Sequence, residues 1–160
     1  MNTGTDTIDE RLEELGLRLP GPYPPHDPLD AVVVHGGRAR TSGQLPRGHD
    51  GRLVYPGVLG ATLEVEQGEE AAMWCALNAL SVLRAELGSL DRIERVLTVI
   101  GFVACTPGFE KQPAVIDGAS RLLHTVFGDA GRHTRSAIGV AALPRGGAVE
   151  IEVEVALKPK

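Results

Sequence analysis

The segment VEQGEEAAMWCALNALSVLRAEL, residues 65–87, carries the longest helical pattern of the sequence. Its apolar residues recur at the three-and-four spacing of a helix face that is buried along its length. They are Ala72, Cys75, Ala76, Ala79, Leu80, Leu83 and Leu87. Acidic residues open the segment, which suits a helix N-terminus, and Gly88 is placed to end it. We therefore predict a buried helix over residues 65–87.

On the C-terminal side of this helix the sequence predicts three strands and a second long helix. Residues 91–105 are rich in Val and Ile and predict a long strand. Residues 113–127 have the helical spacing, with Pro at the first turn and Gly just after the end. Residues 134–143 and 149–157 predict two more strands, joined by a turn, and the last strand alternates strictly between apolar and charged residues.

On the N-terminal side the sequence predicts a short helix, an extended segment and a β-hairpin. Thr7 has the position of an N-cap, with Glu10 three residues later, and the helix would end at Gly16. The proline-rich residues 20–25 predict extended chain, because proline lacks a backbone donor and restricts the residue before it. The hairpin consists of residues 31–35, the turn Gly36-Gly37 and residues 38–42.

The order of these elements predicts the fold class. Strands accompanied by two main helices on one face form an α+β two-layer sandwich with a mixed sheet, here with a short N-terminal helix in addition. The length of 160 residues fits one domain, residues 1–160, in which residues 1–20 are the N-terminal helix and its lead-in. The apolar content of 42% and charged content of 23% are those of a chain that can bury a core.

Composition also excludes several classes of function. The net charge of −5 and the small number of aromatic residues argue against nucleic acid as a partner. No apolar run approaches the roughly 20 residues that span a bilayer. Cys75 and Cys105 match neither a disulfide framework nor a metal motif, and the histidines are scattered. We therefore expect no metal and no membrane segment, and the acidic N-terminus, unlike a signal peptide, favours a cytoplasmic location.

Five segments, in order along nearly the whole chain, resemble one family. They are Gly21-Pro22-Tyr23, Thr41-Ser-Gly-Gln-Leu-Pro46, the helix that carries Asn78, Arg135-Ser136-Ala137, and Leu143-Pro144 followed by Val149-Glu-Ile-Glu152. This family is the reactive-intermediate deaminases (RidA, also called YjgF), and the chain resembles a longer variant subgroup. The resemblance implies a chorismate-mutase-like fold, a homotrimer with pockets between subunits, and no cofactor. It also implies hydrolysis of enamines or imines, such as 2-aminoacrylate, to 2-keto acids and ammonia.

Two residues match the catalytic positions of that family. Arg135 matches its carboxylate-binding arginine, and a guanidinium suits this role because its planar fork makes two parallel hydrogen bonds. The alternative is a surface arginine paired with an acid across the sheet. Glu150, six residues after Pro144, matches a water-orienting glutamate that acts as acid or base. The alternative is an outward-facing strand residue like Glu152 and Glu154, which share its alternation.

The remaining positions that match the family belong to the substrate-binding wall. Tyr23 matches a pocket tyrosine, although packing against the neighbouring prolines would explain it equally well. Ser42 and Gly43 match the pocket floor, where small residues let substrate approach the backbone, and a turn at a strand end would need the same residues. These three residues are therefore substrate-binding candidates together with Arg135.

Asp117 marks a departure from the family pattern. Many members carry a pocket asparagine near this position, one residue away in spacing from Arg135. An aspartate there would repel a bound carboxylate unless it is paired, and Arg121 lies one helical turn further on. Asp117 is accordingly a candidate binding residue that puts the usual substrate in question.

Two functions from different classes remain open at this point. The first is a deaminase that takes a small carboxylate-bearing metabolite as its substrate. The second is a non-catalytic binder or sensor of small carboxylic or keto acids, which would keep Arg135 and make Glu150 dispensable. A ribonuclease is disfavoured by the acidic balance and the scarcity of aromatic residues.

Overall fold

Three α-helices form at the predicted places in the computed structural model, which describes residues 7–160. They are α1 (Ile8–Glu14), α2 (Val65–Leu87) and α3 (Gln112–Phe127). Thr7 and Glu10 make the reciprocal capping-box hydrogen bonds that the sequence predicts for α1. Gly88 adopts the left-handed conformation at φ 81°, which ends α2 as predicted.

Five strands form one mixed sheet in the order β1-β2-β5-β3-β4. They are β1 (Val32–His35), β2 (Arg38–Thr41), β3 (Ile93–Ala104), β4 (Thr134–Val140) and β5 (Val149–Leu157). The pair β3–β4 is parallel and the other pairs are antiparallel. A parallel pair needs a long crossover, and α3 supplies it. The structure confirms the predicted α+β fold class.

Four predicted strands are longer than the observed ones: each hairpin strand by one residue, and residues 91–105 (β3) and 134–143 (β4) by three residues each. β3 begins at Ile93, because Ser89 Oγ accepts the backbone N–H of Asp91 and starts a single 3₁₀ turn. β4 ends at Val140, which pairs with Ala104 at the end of the β3–β4 ladder. Since β4 is an edge strand whose one neighbour ends there, nothing continues its hydrogen bonding.

The core lies between the sheet and the two long helices. Every residue of the predicted apolar stripe of α2 is buried. The last strand alternates as predicted: Val149, Ile151, Val153 and Val155 are buried against the helices. Glu150, Glu152 and Glu154 point to the opposite face of the sheet, which no helix within residues 7–160 covers. No helix in residues 7–160 is long and apolar enough to cross a membrane.

Candidate functional site

A cleft of about 300 Å³ opens beside the end of β2. The structure brings four of the predicted residues together there: Tyr23, Ser42, Gly43 and Glu150. They come from three separate parts of the chain, namely the proline segment, the residues after β2, and β5. The cleft is therefore assembled by the tertiary fold from segments that the sequence only places in order.

Glu150 lies half-buried in this cleft, with its carboxyl group packed against Gly43. A Cβ atom at position 43 would lie 2.8 Å from both Cδ and Oε1 of Glu150, so a larger residue would displace the carboxyl group. Burial raises the pKa of Glu150 above its ordinary value, and the nearby charge of Glu152 raises it further. A carboxyl group of this kind can exchange protons closer to neutral pH than an exposed glutamate can.

The three glutamates of β5 differ in their partners, although their alternation is the same. Glu152 pairs with Arg40 at 2.8 Å, and Glu154 lies 3.6 Å from Arg38. No lysine, arginine or histidine of residues 7–160 makes such a pair with Glu150. The structure thus separates Glu150 from its neighbours by its missing counter-ion and its closer packing, which alternation could not do.

The other predicted cleft residues are already partly bonded within the chain. Tyr23 donates its hydroxyl to the carbonyl of Gly48 at 2.5 Å. Ser42 donates its hydroxyl to the carbonyl of Asp30 at 2.6 Å. Both oxygens can still accept a hydrogen bond, so these residues can take a donor from a ligand while their positions stay fixed.

Asn78 is a cleft residue that sequence reasoning placed in the helix without a role. It is 3% exposed, and its amide nitrogen donates to the carbonyls of Arg47 and Trp74, both at 2.8 Å. A polar amide in the middle of an apolar helix segment was the available signal, since a buried amide needs partners. Asn78 ties the loop that carries Arg47 to α2 and lines the inner wall of the cleft.

Arg135 does not reach this cleft within one chain. On the sheet it stands beside Val99, which pairs with Val153, and both valines are buried under the helices. Glu150 pairs with Phe102 and points to the other face. The two predicted catalytic residues therefore lie on opposite faces of the same sheet.

The guanidinium of Arg135 is already occupied by its own chain. Its Nη1 donates to Asp117 Oδ1 at 2.8 Å and to Ser120 Oγ at 3.2 Å, and its Nη2 donates to the carbonyl of Pro113 at 3.4 Å. Arg135 therefore does pair with an acid, as the alternative interpretation of its sequence predicted, but this acid lies on α3 and not across the sheet. Asp117 neutralises much of the charge that a ligand carboxylate would meet.

Asp117 also has the second partner that the sequence predicts. Arg121 Nη2 lies 3.6 Å from Asp117 Oδ2, and Arg121 is bound in turn by Glu69 of α2. The group therefore contains two guanidinium groups and two carboxylates, with no net charge. Because Asp117 is paired, its main effect on a ligand carboxylate is that it competes with the ligand for Arg135.

His133 lies beside Ser120 of α3, although the two residues are 13 positions apart in the sequence. Its Nε2 lies 2.9 Å from Ser120 Oγ, and its Nδ1 lies 2.6 Å from the carbonyl of Gly131. Since a carbonyl only accepts, Nδ1 carries the proton and Nε2 accepts from Ser120. Burial lowers the pKa of His133, and the charge of Arg135 lowers it further. These residues share a second cleft of about 350 Å³ with Arg135.

A metal has no evident place among the described residues. Within residues 7–160, no three side chains of His, Cys, Asp or Glu converge as metal ligands would. Cys75 and Cys105 are both free, and Cys75 is fully buried beneath the sheet. The chemistry of the Glu150 cleft is that of a carboxyl group, amide and hydroxyl groups, and guanidinium groups.

Comparisons with known proteins agree with this architecture. The family model described as "YjgF/chorismate_mutase-like, putative endoribonuclease" matches residues 9–149. "Protein TCP17" of Trypanosoma cruzi is 44% identical over 151 residues, which are 94% of each chain. The solved structure of Atu1372, a protein of unknown function from Agrobacterium tumefaciens, is 39% identical with a TM-score of 0.87, over 96% of this chain and 95% of that one.

A second solved structure is at least as similar in shape. It is a protein of Shewanella oneidensis MR-1 described as a "putative endoribonuclease", 32% identical with a TM-score of 0.90, over 94% of this chain and 99% of that one. The two matches cover 96% and 94% of this chain. They confirm the fold that the sequence resemblance implied.

Proposed function

This chain belongs to the YjgF (RidA) family, and on that premise we propose that it is an imine deaminase. Its substrate would be a small enamine or imine acid such as 2-iminopropanoate, and its products a 2-keto acid and ammonia. The oxygen of one water molecule bonds to the imine carbon, and the nitrogen leaves as ammonia with the two protons of that water. The reaction is redox-neutral, so it consumes only substrate and water.

The observation that carries the proposal is the state of Glu150. Its carboxyl group is half-buried, lacks a cationic partner within the described chain, and has a raised pKa. Hydrolysis of an imine needs one group that takes a proton from the attacking water and returns a proton to the leaving nitrogen. A carboxyl group with its pKa shifted toward neutrality can do both in turn.

The wall around Glu150 supports the positioning that this chemistry needs. Gly43 leaves no side chain between the carboxyl group and the cleft, so water and substrate can approach closely. The hydroxyl oxygens of Tyr23 and Ser42 keep free lone pairs that can accept the N–H of an imine. Preorganised groups of this kind lower the barrier because they need not reorient during the reaction.

A second subunit would complete the site. Because Arg135 and Glu150 lie on opposite faces of one sheet, a pocket that contains both must use two chains. The open sheet face is suited to assembly, since Val33 is 58% exposed and Ile138 is 44% exposed there. A homotrimer, as the family resemblance implies, would place Arg135 of one subunit at the Glu150 cleft of the next.

A binder or sensor of small carboxylic acids is the second candidate, and the Asp117–Arg135 pair favours it. A neutralised arginine holds a carboxylate weakly, and weak, reversible binding suits a sensor better than the capture of a short-lived imine. In this case Glu150 would have no role in the response. Ribonuclease activity, which the description of the family names, fits poorly with a net charge of −5.

Ammonia release from freshly generated 2-iminopropanoate tests the proposal. We expect release above the uncatalysed rate, a loss of about a hundredfold in Glu150→Gln, and a comparable loss in Arg135→Ala. Glu154→Gln is the matched control, because this glutamate shares the strand and face but lies 3.6 Å from Arg38. Wild-type protein that binds 2-oxobutyrate without releasing ammonia would favour the sensor and rule out the deaminase.

A further inference from the structure

Two arginines border the Glu150 cleft, Arg47 and Arg145. Within residues 7–160 neither of them forms a salt bridge with a carboxylate, in contrast to Arg135, which Asp117 holds at 2.8 Å. The cleft therefore carries two guanidinium groups and one carboxyl group, in a chain whose net charge is −5. A site that concentrates positive charge in this way favours an anionic group.

Arg47 is held in place by contacts that do not neutralise the charge of its guanidinium group. Its guanidinium carbon lies 5.5 Å from the centre of the Tyr23 ring, which stabilises a cation without neutralising it. Nη1 donates to the carbonyl of Gly51 at 3.3 Å, and the backbone carbonyl of Arg47 accepts from Asn78. Arg47 is therefore preorganised at the cleft wall, so it loses little conformational freedom on binding an anion.

Arg145 lines the same cleft and is exposed. Its φ of 58° lies in the left-handed region, which is disfavoured for a residue with a Cβ atom. Its Nη2 donates to His26 Nε2 at 3.4 Å, and His26 is also part of the cleft wall. The guanidinium of Arg145 is thus exposed beside the cleft, with N–H groups free for a ligand.

A substrate with a single carboxylate does not need three arginines, Arg135, Arg47 and Arg145. In the proposed deaminase, Arg135 of a neighbouring subunit already serves the carboxylate next to the imine carbon. Arg47 and Arg145 line the cleft of the chain that supplies Glu150, so both are available to another acid group of the same ligand. A second acid group on the substrate would use them, whereas a short apolar side chain would leave both guanidinium groups without a partner.

We propose that the substrate is a dicarboxylic imino acid, whose distal carboxylate is held by Arg47 and Arg145. This inference rests on the proposed deaminase for its reaction, which is the same hydrolysis of the C=N bond by one water. It adds the class of substrate. Charge-assisted hydrogen bonds to a planar guanidinium would give the discrimination, since an analogue that lacks the second carboxylate cannot make them.

The test compares 2-iminoglutarate with 2-iminobutanoate, each generated in place by an amino-acid oxidase, on the full-length protein. We expect kcat/KM to be about tenfold higher for 2-iminoglutarate, and Arg145→Met to remove most of that ratio while Arg145→Lys keeps part of it. Arg52→Met is the matched control, because Arg52 is an exposed arginine of the same loop as Arg47 and does not line the cleft. An unchanged ratio in Arg145→Met would overturn the inference.

A binding measurement separates this inference from the deaminase itself. Titration of 2-oxoglutarate and 2-oxobutyrate requires no turnover, and we expect 2-oxoglutarate to bind about tenfold more tightly, with the difference lost in Arg145→Met. Turnover of both imines at equal kcat/KM, with equal affinities for the two keto acids, would sink the inference and leave the deaminase standing. Absence of turnover with the affinity difference intact would rule out the deaminase and the substrate, and would leave the cleft as a binding site for dicarboxylic acids.

Discussion

Asp117 Oδ1 lies 2.8 Å from Nη1 of Arg135, so the arginine that the family resemblance assigns to substrate is first bound by its own chain. The carboxylate is also shared with Arg121, at 3.6 Å. This pair sets the charge that any ligand meets at Arg135. It also gives a direct way to change that charge without removing the arginine.

Asp117→Asn should strengthen the binding of small acids. The asparagine can keep a hydrogen bond to Arg135 but no longer competes as an anion, so we expect the Kd for 2-oxobutyrate to fall roughly threefold to tenfold. The free energy of unfolding should change by less than about 1 kcal/mol, because the pair is partly exposed. Isothermal titration calorimetry measures the first effect and urea unfolding the second.

Asp129→Asn is the control for this substitution. Asp129 Oδ1 lies 3.9 Å from Nε of Arg132, a residue that lines the same cleft as Arg135, and the Asp129 side chain is fully exposed. It should leave ligand affinity unchanged. If Asp117→Asn weakens binding, then Asp117 itself contacts the ligand, and the competition described above does not occur.

Glu150→Gln should raise stability at neutral pH while it removes turnover. The raised pKa means that the folded chain holds the proton of Glu150 more tightly than the unfolded chain does. Stability from this group is therefore present at low pH and is lost as pH rises through the folded-state pKa. Glutamine cannot ionise, so the variant avoids that loss, and its Tm should exceed that of wild type at neutral pH but not below pH 4.5, the ordinary pKa.

Thermal unfolding of the two proteins across pH measures this difference. Glu154→Gln serves as the comparison, since it removes the 3.6 Å pair with Arg38 and should not stabilise the fold. Equal pH dependence of Tm in wild type and Glu150→Gln would show that the carboxyl group is solvated as an ordinary glutamate is.

Gly43→Ala should reduce activity with little effect on folding. The new Cβ would meet Glu150 Cδ and Oε1 at 2.8 Å, and the end of a flexible side chain can move away. We expect kcat/KM to fall by about tenfold or more, since a small displacement of a catalytic group is costly. Steady-state kinetics on 2-iminopropanoate measures the loss.

Gly48→Ala is the matched glycine control. A Cβ there would meet no atom closer than 3.4 Å, which is ordinary contact. It should leave kcat/KM close to that of wild type. Full activity in Gly43→Ala would mean that Glu150 does not need its observed position.

His133→Gln should make stability less sensitive to mild acid. Burial lowers the pKa of His133 below 6.5, so the folded chain binds its proton less tightly than the unfolded chain. The contribution of this group is present above pH 6.5 and is lost as pH falls through that value toward the folded-state pKa. We therefore expect the drop in Tm between pH 7 and about pH 5 to be smaller in the variant.

His124→Gln controls for the loss of a histidine as such. His124 is exposed on the adjacent helix and lines the same cleft. Differential scanning calorimetry measures the drop in Tm of wild type, His133→Gln and His124→Gln, and we expect His124→Gln to behave like wild type. An identical drop in Tm for wild type and His133→Gln would show that the partly buried His133 is not the cause of the acid sensitivity.

Much of the fold could be predicted because its signals are local. The three-and-four spacing of residues 65–87 determines which side of α2 is buried, and that spacing depends only on helix geometry. The turn at Gly36-Gly37 formed as predicted, with φ values of 59° and 74° that glycine adopts freely. Strand ends were less well predicted, because Val140 ends β4 only where the neighbouring strand ends.

The candidate site depended on the tertiary structure to a greater extent. Sequence alternation gave Glu150, Glu152 and Glu154 the same description, and in the structure the positions of Arg40, Arg38 and Gly43 distinguish them. Sequence spacing put His133 two residues before Arg135 and did not reveal its bond to Ser120 on α3.

The sequence by itself determined the helices, the strands and the family, because backbone geometry and side-chain periodicity act over a few residues. Only the tertiary structure decided which charges are neutralised and which stay available. Coulomb energy and desolvation depend on distances of a few ångströms between residues that are far apart in the chain. Asp117 and Arg135, 18 residues apart, are in contact, whereas Arg135 and Glu150, which the family pattern joins, lie on opposite faces of the sheet.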